Sequence, residues 1–191
     1  GLLWVAEHAA ELGVDPDRVV VAGASAGGGL AAGVALMARD RGGPAIAAQV
    51  LIGPMLDHRN TSTSSHQYAG GPGVWTREMN EFGWRSVLGG LGGLGGLGGE
   101  DVPAYVSPAL ADDVAGLPTA YIDAGSAEVF RDEDVAYATR IWAAGGQAEL
   151  HVWAGGCHGF DALFPHVPVS AAARQARTNW LTRVLTEKTD P

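Results

Sequence analysis

Gly23-Ala24-Ser25-Ala26-Gly27 sets one serine between glycines two residues away on either side. The β-branched run Arg18 to Ala22 (RVVVA) precedes it, and a small-residue helix is predicted from about Ser25 to Arg41. A serine on a sharp strand-to-helix turn has a strained backbone. Other chain segments approach it closely, so the residues two before and two after must be small. The following helix aims its N-terminus at the serine, which favours negative charge developing there. The chemistry this suits is attack by an activated hydroxyl, with the Ala26 N–H as a predicted donor to the resulting oxyanion.

The same glycines also match a dinucleotide-binding turn, Gly23-x-x-x-Gly27-x-Gly29. In its short-chain dehydrogenase form that reading wants a tyrosine followed four residues later by a lysine. Tyr68, Tyr105, Tyr121 and Tyr137 are followed at that spacing by Pro72, Ala109, Gly125 and Ile141, and the only lysine is Lys188. The next strand, AIAAQVLIG, ends without an acid to hold a ribose. The cofactor reading fails.

A serine hydroxyl needs a base, and the base needs an orienting acid. Of six histidines, His158 alone stands in a glycine-flanked loop after a strand, in Gly155-Gly156-Cys157-His158-Gly159-Phe160. His8, His58, His66, His151 and His166 fall on a helix, in polar stretches, within a strand or near a helix start, and read as structural or solvated. The acid lies in Asp123-Ala-Gly-Ser-Ala-Glu128-Val-Phe-Arg131-Asp132-Glu133-Asp134. Asp132 and Asp134 open a helix, where acids serve the dipole. Asp123, at a strand end, and Glu128, in the loop, remain rivals.

The elements that must position these groups alternate. A helix from Leu2 to Leu12 leads into the first strand, and further strands are predicted at Ile46–Ile52, Thr119–Ala124 and Ala148–Trp153. Helices are predicted at Arg131–Ala144 and Val169–Thr186. Strand–helix alternation with nearly continuous apolar strands implies a parallel sheet with helices on both faces. Residues 57–117 break the alternation as a cap-like insertion. It holds a polar Thr/Ser run (Asn60–Ser65), a helical piece around Trp75–Leu88, and the Gly-Gly-Leu repeat Gly89–Gly99, read as a flexible excursion. Trp75, Phe82 and Trp84 in this insertion are candidates to line a substrate pocket, with simple packing as the competing role.

The 191 residues are 47% hydrophobic with a formal net charge of −9, which suits one globular domain and argues against nucleic acid or an anionic membrane as partner. No apolar stretch approaches the roughly 20 residues of a membrane span. A single cysteine, Cys157, leaves no intrachain disulfide or cysteine-rich zinc site and makes a reducing, cytoplasmic setting the default. Neither metal nor cofactor is called for, and a homodimer is admitted. The chain opens inside a helix without a methionine, which reads as a fragment or processed product.

The run WVAEHAAELGVDPDRVVVAGASAGGGLAA, with SAEVFRDEDVAYATRIWAAGGQAELHVWAGGCHGFD, resembles the hormone-sensitive-lipase-like family of bacterial carboxylesterases and lipases. The resemblance covers essentially everything except the Gly-Gly-Leu repeat. It implies an α/β-hydrolase fold and a carboxylic-ester hydrolase acting on a small-molecule ester through an acyl-enzyme. The family's serine falls on Ser25, its histidine on His158, and its acid on Glu128, where an aspartate is commoner. The H-G-G-G-type segment that supplies most of the family's oxyanion donors does not occur in these residues, and one lost donor typically costs about 10²–10³ in rate. The four strands would be the contiguous C-terminal half of an eight-stranded sheet, with RVVVA as an apolar edge. A truncated or non-catalytic product, or an amide or lactone hydrolase on the same scaffold, are the alternatives.

Overall fold

The computed structural model describes residues 1–89 and 102–186. Four parallel strands form one sheet in sequence order: β1 (Val20–Ala24), β2 (Ala48–Ile52), β3 (Thr119–Ala127) and β4 (Ala148–Cys157). Parallel neighbours require long crossovers. Here α3 (Ala26–Asp40) joins β1 to β2, α6 (Arg131–Ala143) joins β3 to β4, and the insertion joins β2 to β3. Short helices α1 (Leu2–Glu7) and α2 (Ala9–Leu12) precede the sheet. Within the insertion lie α4 (Thr63–Gln67) and α5 (Arg77–Gly89), and α7 (Phe160–Leu163) and α8 (Pro168–Thr186) follow β4.

Alternation along the strands sorts side chains to two faces. Leu51, Ala120 and Ile122 point to one face and pack with Ala32, Leu36, Tyr137 and Ile141 of α3 and α6. Ala48, Val50 and Tyr121 point to the other and pack with Trp180, Leu181 and Val184 of α8. Helices therefore cover both faces. Among the described residues β1 pairs with β2 alone and forms an edge, beside an apolar cavity of about 650 Å³ lined by Leu2, Val5, Val20, Leu30 and Val34 among others.

Several elements differ from the sequence reading. The first strand begins two residues later than expected, because Asp15 accepts the Asp17 N–H and Pro16–Arg18 form a 3₁₀ turn. The first helix breaks at His8, whose Nδ1 lies 2.8 Å from the Trp4 carbonyl oxygen. In the Thr/Ser run, Ser62 caps α4 by accepting the Ser65 N–H. Strands β3 and β4 run three and four residues past their predicted ends, since an irregularity between Gly125 and Ala127 lets pairing resume at Ala127 and Cys157. The Gly-Gly-Leu repeat beyond Gly89 lies outside the described residues.

The insertion is tied down at its root. The Leu56 and Asp57 N–H groups donate to Glu133 Oε1 at 2.7 and 3.2 Å, and the Ser64 N–H donates to Asp132 Oδ2 at 2.7 Å. Ser64 Oγ donates to the Val129 carbonyl oxygen, also at 2.7 Å. Its apolar side, with Tyr68, Trp75 and Trp84, packs on Met55, Val129 and Phe130.

Candidate active site

All four strands end at the same edge of the sheet, and each delivers one component there. The first turn is the tightest. Ser25, directly after β1, has φ 57° and ψ −126°, a left-handed conformation that L residues avoid. Its backbone is fixed by neighbours: the Ser25 N–H donates to Ile52 O at 2.9 Å, while its carbonyl accepts from Gly28, Gly29 and Met55. A Cβ on Gly23 would fall on the Gly27 carbonyl, so glycine is required there. The expectation for Gly27 is corrected: a Cβ there meets nothing within 4 Å among the described residues, because that position faces the open cavity beside β1. Ala26 opens α3, so its N–H belongs to the first-turn donors that have no acceptor within the helix.

Gly53 follows the second strand directly, with φ 48°, and a Cβ there would lie 3.4 Å from Glu128 Oε2 and 3.5 Å from His158 Nδ1. Glycine lets the backbone pass beside both side chains. The third strand ends at Ala127, so Glu128 follows it at once. The Glu128 carboxylate is 3% exposed and accepts the Gly125 N–H through Oε1 at 2.6 Å. Its Oε2 lies 2.6 Å from His158 Nδ1. The fourth strand ends at Cys157, and His158 Nε2 stands 3.0 Å from Ser25 Oγ. A carboxylate can only accept, so Nδ1 carries the proton and Nε2 is free to accept from the serine hydroxyl. Phe130 meets the imidazole edge-on with ring centroids 5.1 Å apart.

Asp123, the rival acid, lies inside β3 and is turned elsewhere. Its Oδ2 accepts from Arg177 Nη2 at 2.9 Å and, at 3.4 Å, from Trp153 Nε1 and the Tyr121 hydroxyl. Burial raises its pKa above the ordinary value, against the pull of the Arg177 charge. Asp132 bonds Ser64 and Arg131. Asp134, in the first turn of α6 as the dipole reading has it, is fully buried, with neither carboxyl oxygen partnered among the described residues.

The three aromatic candidates separate. Trp75 stands beside His158 with ring centroids 6.2 Å apart. Phe82 is 74% exposed and projects to solvent. Trp84 is 2% exposed and belongs to the packing of the insertion on Val129 and Phe130, which corrects its assignment to a pocket wall. A cavity of about 110 Å³ adjoins the three polar groups, and its lining includes Ser25, Glu128, His158, Asp123, Asp161 and Arg177. Gly53, Gly125, Phe130 and Arg177 were missed in the sequence. Gly53, in Ile52-Gly53-Pro54 at a strand end, carried the only local signal. No group of three His, Cys, Asp or Glu side chains is placed to hold a metal among the described residues, and no helix there is long and apolar enough to cross a membrane.

Known proteins resemble this chain over most of its length. Residues 1–162 match a family model described as the alpha/beta hydrolase fold. The chain is 34% identical over 170 residues to Esterase LipI and 35% identical over 172 residues to Carboxylesterase NlhH, both of Mycobacterium tuberculosis. These alignments cover 89% and 90% of the chain but 51% and 52% of the relatives, so the chain spans about half their length. The solved structure of a Bacterial Heroin Esterase superposes with a TM-score of 0.92 at 38% identity, covering 97% of this chain and 57% of that one. A parallel sheet carrying a strained serine turn, matched by a family model over most of its length, establishes that this chain belongs to the α/β-hydrolase family.

Proposed function

We propose that the protein hydrolyses small-molecule carboxylic esters through an acyl-enzyme, with Ser25 as nucleophile, His158 as base and Glu128 as the orienting acid. The observation that carries this reading is the hydrogen-bonded line Glu128–His158–Ser25, at 2.6 and 3.0 Å, on a serine turn at the carboxyl edge of the sheet. His158 takes the hydroxyl proton as Ser25 Oγ adds to the ester carbonyl, and the Ala26 N–H faces the oxyanion. The C–O bond to the alcohol breaks as His158 returns the proton to the leaving oxygen. Water then repeats the sequence on the acyl-enzyme and frees the acid. Glu128 keeps the imidazole in the required tautomer and stabilises its cationic form. Trp75 forms one wall beside the imidazole, and the described parts of residues 57–117 act as the cap.

The names of the relatives, an esterase and a carboxylesterase, support the same reaction class. No step calls on a metal or cofactor. The test is stoichiometric labelling of Ser25 by an organophosphonate, together with hydrolysis of short-chain p-nitrophenyl esters that the Ser25→Ala variant loses. Absence of labelling at Ser25 in active protein would refute the assignment.

A further inference from the structure

Arg177 of α8 bridges two elements that must stay aligned for the proposed triad to work. Its Nη2 donates to Asp123 Oδ2 of β3 at 2.9 Å, and its Nη1 donates to Asp161 Oδ2 of α7 at 3.1 Å. The side chains are 15% exposed for Arg177, 3% for Asp123 and 12% for Asp161. Asp161 follows His158 by three residues. Asp123 precedes by two residues the Gly125 N–H that holds Glu128, and its carbonyl accepts the Gly53 N–H at 2.6 Å. All six groups, the three of the proposed triad and these three ions, line the same cavity of about 110 Å³.

The segment after His158 has little to hold it in place on its own. Helix α7 has four residues, far below the length at which an isolated helix is stable. Its polar ties run to α8. Arg174 donates to the carbonyls of Asp161 and Pro165 at 2.9 and 2.7 Å, and Ser170 Oγ donates to Phe160 O at 3.3 Å. The sheet is reached through apolar contacts, with Phe160 of α7 against Gly156 of β4 and Trp180 of α8 against Tyr121 of β3. Arg177 adds a directional tie at the strand ends, because its planar fork spans both carboxylates at once.

Resting on the ester-hydrolase reading above, we infer that Arg177 is a positioning residue, whose bridge between Asp123 and Asp161 sets the His158 loop against the strand end that carries Glu128. Asp123, the carboxylate that competed with Glu128 in the sequence, thus serves the alignment of the base through a cation. A displacement of His158 by about 1 Å costs on the order of 10² in rate. It leaves substrate contacts made elsewhere untouched, so it lowers kcat rather than raising KM.

The test is made in the full-length protein with Arg177→Met, which keeps an apolar stem, and Arg177→Lys, which keeps the charge but not the fork. Arg177→Met is expected to lower kcat, and the second-order rate of Ser25 phosphonylation, by about 30- to 100-fold with KM within about a factor of two. Arg177→Lys is expected to recover part of that loss. Rates are taken per labelled site, so a fall in the folded fraction does not imitate the effect. If Arg177→Met does not fold, the triple variant Arg177→Met, Asp123→Asn, Asp161→Asn removes the bridge without leaving unpaired charge, and should show the same kcat loss. Normal kcat per labelled site in either folded variant overturns the positioning role alone. An unaltered protein that phosphonate does not label at Ser25 overturns the ester-hydrolase reading, and this inference with it.

Discussion

Glu128 and His158 meet at 2.6 Å through Oε2 and Nδ1, and the other carboxylate oxygen of Glu128 is held at the same distance by the Gly125 N–H. The carboxylate is gripped at both oxygens, so its position relative to the imidazole is set by the backbone of β3. Burial at 3% exposure leaves little room for water to substitute for either bond.

Exchanging this carboxylate tests its role. Glu128→Gln keeps the shape but presents an amide that can stabilise the wrong imidazole tautomer, and kcat is expected to fall by about 10²–10⁴. Glu128→Asp withdraws the carboxylate by one carbon–carbon bond and should cost about 10². Asp123→Asn should cost less than Glu128→Gln, at most about 30-fold, since Asp123 touches neither Ser25 nor His158 and its loss loosens only one arm of the Arg177 bridge. Steady-state kinetics of the three variants decide the matter, and an Asp123→Asn defect equal to that of Glu128→Gln would reverse the assignment.

The serine turn stores strain that a stability measurement can read. At φ 57° and ψ −126° a side chain costs about 1–3 kcal/mol, which glycine escapes. Ser25→Gly should therefore be more stable than Ser25→Ala by about 1 kcal/mol, seen as a melting temperature some 2–4 °C higher. Equal melting temperatures would mean the turn is relaxed in solution.

Gly125 faces a tighter constraint. A Cβ there would fall on the carbonyl group of Gly156, backbone against backbone, with no flexible side chain to give way. Gly125→Ala is expected to lose about 2–4 kcal/mol by denaturant unfolding. Whatever folds should also label slowly with phosphonate, because the same residue donates to Glu128. A loss below about 0.5 kcal/mol, the usual surface range, would contradict the close approach.

Asp134 makes a pH-dependent prediction. Burial first, and then the nearby Glu133, Glu128 and Asp123 charges, push its pKa well above the ordinary 3.8. The folded state then holds a proton that the unfolded chain has released, so this group makes stability fall as pH rises from about 4 toward the folded value. Asp134→Ala removes the effect along with the unpartnered carboxyl, and should stabilise by about 1–3 kcal/mol at pH 8 and by less near pH 4. The forfeited dipole interaction at the start of α6, about 0.3–1 kcal/mol, is smaller. Thermal melts at the two pH values check both sign and slope, and a variant less stable than the parent at pH 8 would count against the buried carboxyl.

Legibility in the sequence followed how local each signal was. The serine turn and the glycine-flanked His158 could be picked out because short glycine patterns announce a sharp turn wherever the chain goes next. The choice between Asp123 and Glu128 could not be made from the residues, because it depends on how far β3 extends. Pairing resumes after the irregularity at Gly125, and that places Asp123 inside the strand and Glu128 at its end. Trp75 and Trp84 looked alike as aromatics of one insertion, and only the way α5 packs puts one beside the imidazole and the other inside. Arg177 carried no signal, since a polar residue on a long helix does not declare which two carboxylates it will meet.

The ties of Leu56, Asp57 and Ser64 to Val129, Asp132 and Glu133 have a mechanical meaning. The stretch leaving β2 is stitched to the five residues that follow Glu128, so the two travel as one body. Outward swing of residues 56–64 would drag Glu128 off the His158 imidazole. For the proposed triad, any opening of the proposed cap has to leave these ties closed if the proton path is to stay undisturbed.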